Sequence, residues 1–314
     1  MDQGCQKAVG SARVPVARTG PGNRGRCRID KARNRLQCGP AMPEIVHTSQ
    51  PELAHPSRFL RSALRDVSRS PTIGWRLFVA ALLGRRRRTI LGYAWIVMPA
   101  AAAALVCVYL RARGIFSVPP TALPYPIHVL AGMVLWQTFL DSLHSPLQQL
   151  TTSRHLITRS RIPHEAIVLS GVLEVGLNAA VRLAALGVAL AAFGIVPAPS
   201  AILLPIGMAA LACLGIGLGL LVAPLGLLYD DVRQGLVLVS TFWFFLTPII
   251  YPAAAGGPLS LNPVTPLLDA ARGSLHAWSI DGSALAVLAA SLVLLAAAWL
   301  FYRLAQPHVV ERLA

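Results

Sequence analysis

The sequence predicts an all-α polytopic membrane protein, and three observations carry that prediction. First, 55% of its 314 residues are hydrophobic and only 13% are charged, with a mean hydropathy of +0.59. Globular domains carry about 25% charged residues, and hydrocarbon excludes charge. Second, after a polar N-terminal stretch the chain has six apolar segments, most near the roughly 20 residues that a bilayer requires. Third, arginines collect in alternate loops. A soluble protein with an unusually oily core is the alternative, and this composition disfavours it. The formal charge of +15 does not point to nucleic acid, because most of the basic residues precede Ile90 and so read as flanking charge ahead of the first span.

Taken in order, residues 1–70 are rich in Arg, Gly, Pro, Ser and Gln and show little apolar periodicity. Such a segment cannot bury enough surface to fold alone. It is expected to be a disordered basic cytoplasmic tail, or else Met42 is the true start and residues 1–41 are a start-site artefact. It has no apolar core of the kind a cleavable leader needs, so no signal peptide is expected. The remainder, 71–314, is expected to form one membrane domain. Pro71 opens PTIGWRLFVAALLGRRRR, in which Ile73, Leu77, Phe78, Ala81 and Leu82 recur at helical spacing. Its apolar part is too short to span, so an interfacial helix is expected, with Arg85 to Arg88 at anionic lipid headgroups.

The six expected spans are 90–110, 127–147, 166–196, 202–228, 236–251 and 284–304. The second is interrupted by Gln137, Asp141 and His144. The fifth is short and ends at FLTPIIYP, where Pro248 and Pro252 should kink or stop a helix. Arg85–Arg88, Arg154, Arg159, Arg161, Arg233, Arg303 and Arg312 fall in one set of loops and ends, the more basic set. That set is assigned to the cytoplasm, with both termini. The patch Asp230, Asp231 and Arg233 then forms a cytoplasmic turn between spans four and five.

Candidate chemistry is sparse, and no catalytic, cofactor or metal site is predicted. Cys107 and Cys213 lie in apolar runs, where a free thiol behaves as a small hydrophobe. Cys5, Cys27 and Cys38 have neither metal-ligand spacing nor nearby histidines. The stretch GIGLGL, with Gly215, Gly217 and Gly219, lacks the Lys-Ser/Thr of a phosphate loop and sits inside an apolar run. Close helix approach explains it better than a nucleotide site. Asp141 and His144, one turn apart, fit a hydrogen-bonded pair at the cytoplasmic end of the second span better than a proton relay. Glu174, Asn178 and Arg182 follow one helix face in the third span. Structural glue between helices is favoured for them over direct contact with a transported molecule. The segment SRHLITRSRIPHEAIV, with Arg154, Arg159, Arg161, His164 and Glu165, reads as a solvated loop or as a charged, exposed docking element.

Five stretches in order resemble the permease subunits of type-2 ATP-binding-cassette exporters, particularly those for polysaccharide and O-antigen. They are RRTILGYAWIVMPA, PYPIHVLAGMVLWQTFLDSL, HLITRSRIPHEAIVLSGVLE, LLYDDVRQGL, and FLTPIIYP with LNPVTPLLDAAR. The likeness runs from about residue 71 to the C-terminus. It implies a homodimeric channel of six-span subunits in a bacterial inner membrane. Two separate ATPase subunits would dock below it and hydrolyse the ATP, so the permease itself is not an enzyme. It implies a coupling helix at about 151–163, with Arg154, Arg159, Arg161, His164 and Glu165 transmitting the stroke. It also implies re-entrant helices at about 252–280 on the periplasmic side, and a lipid-linked glycan as the cargo.

Sugar rings pass along aromatic faces, which makes Trp136, Phe139, Phe242, Trp243, Phe244 and Phe245 channel-lining candidates beside Glu174, Asn178 and Arg182. Tyr93, Trp95 and Tyr251 fit interfacial anchors better. Aromatics make up 7% of the chain, which leaves a teichoic-acid precursor or a small lipid or drug as alternative cargoes. A polytopic glycosyl- or acyltransferase would need clustered Asp, His or Arg at one face, and the loops are short for that. A proton-coupled transporter would need internal repeats, and none is evident.

Overall fold

In the computed structural model the described residues are 27–30, 35–38, 70–84, 92–115, 123–154, 163–251, 262–277 and 282–313. The chain divides into two units, Met1–Ala54 and His55–Ala314. In the first, β1 (Cys27–Asp30) pairs antiparallel with β2 (Arg35–Cys38), Cys27 opposite Cys38 and Asp30 opposite Arg35. This short hairpin is an addition to the all-helical expectation.

The regular elements described in the second unit are all helical. Residues 70–84 form α1. It is followed by α2 (Ala94–Ala112), α3 (Tyr125–Thr152) and α4 (His164–Ala192). A 3-10 turn (Pro199–Leu203) leads into α5 (Leu204–Leu228), and α6 (Asp231–Phe245), α7 (Val264–Gly273) and α8 (Gly282–Leu313) complete the chain.

Punctuation in the sequence accounts for several of these ends. Gly114 and Gly194 follow α2 and α4 with φ of 70° and 65°, in the left-handed region that glycine enters freely. The next residue closes each end: Ile115 N–H donates to the Leu110 carbonyl and Ile195 N–H to the Leu190 carbonyl. Helix α6 stops at Phe245, ahead of Pro248, as the FLTPIIYP stretch predicts.

Four helical stretches are long and apolar enough to cross a membrane: Ala94–Ala112, His164–Ala192, Pro199–Leu228 and Gly282–Gln306. The other two expected spans differ for separate reasons. The 28 residues of α3 would extend about 42 Å, but its glutamines, Asp141 and His144 dilute its apolar character. The 15 residues of α6 would reach only about 22 Å, short of a roughly 30 Å hydrocarbon layer.

Helix α3 is the centre of the bundle. Ile127, Val129, Leu135, Phe139, Leu147 and Leu150 are all fully buried, against α2, α4, α5 and α7. The closest approach is to α5, and glycines permit it. A Cβ on Gly215 would lie 2.7 Å from Ser142 Cβ and 2.8 Å from the Phe139 carbonyl. One turn on, a Cβ on Gly219 would lie 2.4 Å from the Leu143 carbonyl. Gly217 points the other way, where a Cβ would come within 3.3 Å of the Leu295 backbone on α8. The glycines of GIGLGL therefore serve helix packing on two faces of α5. Helix α1 uses the same device: Gly74 lies against Ala166 and Leu169 of α4, Phe78 is buried, and Trp75 is exposed.

Gly219→Val forces a side chain into the Leu143 carbonyl and the Pro146 ring, and should cost about 2 kcal/mol. Gly176 has open space around it, so Gly176→Ala should be neutral or stabilising by up to about 1 kcal/mol. Thermal unfolding of the detergent-solubilised protein measures both. An unchanged midpoint for Gly219→Val is incompatible with the close α3–α5 contact.

Candidate functional site

The polar residues that interrupt α3 recur about once per turn, at Gln137, Asp141, His144 and Gln148, and so fall on one side of the helix. Glu174, Asn178 and Arg182 do the same on α4. The two faces meet. Between them lies a half-open cavity of about 380 Å3, lined by Gln137, Asp141, His144, Gln148, Glu174 and Asn178, with Leu140 and Val175 supplying apolar wall.

Its hydrogen bonds join residues far apart in sequence. Asn178 Nδ2 and Arg182 Nη1 both donate to Asp141 Oδ2, each at 2.9 Å. Arg182 Nε also donates to the Ile96 carbonyl at 3.2 Å, so this one guanidinium ties α2, α3 and α4 together. Its side chain is 5% exposed and that of Asp141 25%. Gln149 Nε2 donates to Glu174 Oε2 at 2.7 Å. His144 Nε2 lies 3.3 Å from the hydroxyl of Ser240, the buried residue of α6. The expected Asp141–His144 pair is thus corrected. The two side chains start one turn apart but find partners on different helices, Asp141 on α4 and His144 on α6. A partner across a helix interface competes successfully with one along the same helix, because it also satisfies its own buried group.

The aromatic candidates separate into two groups. Trp136 and Phe139 are buried, their rings 5.3 Å apart. Trp243 packs 5.3 Å from Phe139, and Phe244 packs 6.0 Å from Trp136. These four rings form the α3–α6 contact, so Trp136 and Phe139 present no open face within the subunit. Phe242 and Phe245 stand 62% and 67% exposed on the outer side of α6.

The docking-element residues are similarly divided. Arg154 is exposed, whereas Arg159 and Arg161 lie outside the described residues, as do Arg85 to Arg88. His164 and Glu165 depart from the expected exposed face. Glu165 Oε1 accepts from Arg303 Nη1 at 2.5 Å, with both side chains largely buried. His164 Nδ1 meets Gln306 Nε2, and its ring packs edge-on to Tyr302. The start of α4 is thereby fastened to the end of α8. Asp230, Asp231 and Arg233 are exposed where α6 begins, and Asp231 in the first helical turn complements the helix dipole.

A third polar centre gathers around α7. Arg272 on α7 is buried, with Nη1 2.9 Å from His128 Nε2 on α3 and 3.3 Å from the Ile249 carbonyl, and Nη2 2.5 Å from Asp269 Oδ1. Burial lowers the Arg272 pKa from its ordinary value, and the Asp269 carboxylate opposes that shift. Asn262 completes the knot: it accepts from Trp243 Nε1 at 3.0 Å and donates to Thr247 Oγ1 at 2.9 Å. No metal-holding group of His, Cys, Asp or Glu occurs among the described residues.

Arg182→Gln strands the Asp141 carboxylate and should cost about 3 kcal/mol of stability. Adding Asp141→Asn should recover most of that loss, because no unpaired charge then remains. Thermal unfolding of the single and double variants reads the coupling, and additive losses would show the pair to be uncoupled.

No family model matches the chain. A curated protein does: the chain is 26% identical over 226 residues to the O-antigen export system permease protein RfbA of Myxococcus xanthus, an alignment covering 69% of this chain and 86% of that protein. The match to that relative agrees with the resemblance carried by the five stretches: this chain is similar to an O-antigen export system permease protein.

Proposed function

We propose that the chain is one of two identical subunits of a bacterial inner-membrane channel, which exports a lipid-linked polysaccharide of the O-antigen type. ATP hydrolysis takes place on two copies of a separately encoded subunit. The carrying observation is the match to an O-antigen export permease over most of that protein's length. Helices long and apolar enough to cross a membrane, together with a polar cavity between two buried helix faces, suit the same role.

In this reading six segments cross the membrane. Helix α3 is shielded by its neighbours. The fifth crossing is completed by α6 with the irregular residues after it. Helix α7 forms part of a re-entrant segment, where non-helical backbone is tolerated because protein surrounds it. Both termini face the cytoplasm. The connector between α3 and α4 receives the push from the ATPase, and the Glu165–Arg303 ion pair hands it to α8. Asp230, Asp231 and Arg233 support that cytoplasmic side. The outward rings of Phe242 and Phe245 are the aromatic faces most available to a glycan, or to a second subunit.

Deletion of the gene should abolish the surface glycan and leave its lipid-linked precursor inside the cell. Charge reversal at Arg161 should uncouple ATPase stimulation from export while leaving membrane insertion intact. Unimpaired export by that variant removes the coupling role, and reporter fusions placing the α3–α4 connector outside the cell overturn the topology.

A further inference from the structure

We infer that His128, Gly132 and Arg272 form an acid-sensitive latch, in which an uncharged His128 positions Arg272 so that it holds the non-helical backbone after α6 against α3. Protonation of His128 releases that backbone. That this end of the bundle faces the periplasm, where external acid reaches it, rests on the function proposed above. The latch itself does not.

The geometry fixes which group donates and which accepts. A guanidinium has only donors, so the 2.9 Å contact from Arg272 Nη1 makes His128 Nε2 the acceptor. An imidazole accepts at Nε2 only when it is neutral, with its proton on Nδ1. The same Nη1 donates to the Ile249 carbonyl at 3.3 Å and the Pro248 carbonyl at 3.5 Å, while Nη2 is engaged by Asp269. Gly132, one turn along α3 from His128, leaves room for this approach: a Cβ there would sit 2.9 Å from the Ile249 carbonyl oxygen. Ile249 itself is fully buried. The two residues before Pro248 are held by a group that does not titrate. Asn262 Nδ2 donates to Thr247 Oγ1 at 2.9 Å and to the Leu246 carbonyl at 3.3 Å. Release at His128 therefore frees residues 248–249 and leaves 246–247 in place.

A protonated His128 turns an N–H toward the N–H of Arg272 and brings a second positive charge to a guanidinium that is buried. Two donors cannot bond, and like charges repel most where water is excluded. Of the other charged or titratable groups at this end, Asp269 on α7 is already bonded to Arg272, and His276, just past α7, is exposed. Arg111 on α2 stacks 4.3 Å over the Tyr125 ring. The first turns of α5, packed on α7 where Gly207 meets Ala271, carry none. Once released, His128 meets water and titrates near the ordinary histidine value of about 6.5. Lowering the pH from about 7.5 to about 5 then favours the released state by about thirtyfold.

Hydrogen exchange of the Ile249 amide, in the purified full-length chain in lipid nanodiscs, reads the latch once the intrinsic rate at each pH is divided out. Its protection should fall about thirtyfold between about pH 7.5 and about pH 5, while Leu246 and Thr247 keep theirs. His128→Gln retains a neutral acceptor at similar reach, so it should hold the segment and remove the pH dependence. Gly132→Ala should lower Ile249 protection already at neutral pH, and His276→Gln should leave the pH dependence intact. Wild-type protection that does not change with pH overturns the latch, and that measurement needs no variant. A dependence that survives in His128→Gln or disappears in His276→Gln, or unchanged protection in Gly132→Ala, overturns it too, each variant being shown folded by thermal unfolding. Reporter fusions that place α7 in the cytoplasm overturn the proposed topology and leave the latch standing. Exchange independent of pH, with α7 outside the cell, removes the latch alone.

Discussion

A helix bearing Gln137, Asp141, His144, Gln148 and Gln149 can lie within a hydrocarbon layer only if other helices surround it, because each uncovered polar group there costs several kcal/mol. The arrangement of the bundle follows from that constraint. Helix α5 covers one side of α3 at backbone contact, through Gly215 and Gly219. Helix α4 covers the polar side with polar groups of its own. Helices α2, α6 and α7 close what remains, and each contributes a hydrogen bond to the polar residues of α3 or α4: the Ile96 carbonyl, the Ser240 hydroxyl and the Arg272 guanidinium.

Burying polar groups this way leaves a cavity rather than a packed seam. Amides and carboxylates held by directional bonds do not interdigitate as aliphatic side chains do, so their geometry leaves space that apolar packing would fill. The apolar contacts lie on either side of the polar zone. One cluster centres on Leu135, Phe139, Leu211 and Leu268, and the other on Leu150, Ile167, Leu220 and Tyr302.

The charged residues at the two polar ends of the bundle hold it in different ways. Glu165 and Arg303 bind α4 to α8 beside the connector that carries the arginines. Arg272 gathers the backbone carbonyls after α6 onto α3, which secures a stretch that prolines exclude from helix. The two ends are thus held by separate polar knots, one between α4 and α8 and one between α7 and α3.

What the residues by themselves determined is the part set by local periodicity and composition. The helices lie near their expected places because apolar runs of bilayer length, broken by Gly114, Gly194 and Pro248, admit few other solutions. The glycines of α5 could be read as packing surfaces because a glycine inside an apolar helix has little else to do. The Glu174–Asn178–Arg182 face was likewise visible in its spacing. Which partners those residues take was decided by tertiary structure. Asp141 lies 41 residues from Arg182, Glu165 138 from Arg303, and His128 144 from Arg272. No one-dimensional pattern relates positions so distant; only the packing of α3 among its neighbours brings them within a hydrogen bond. The same packing buried Trp136, Phe139 and His164, because a side chain's exposure depends on what the rest of the chain places over it.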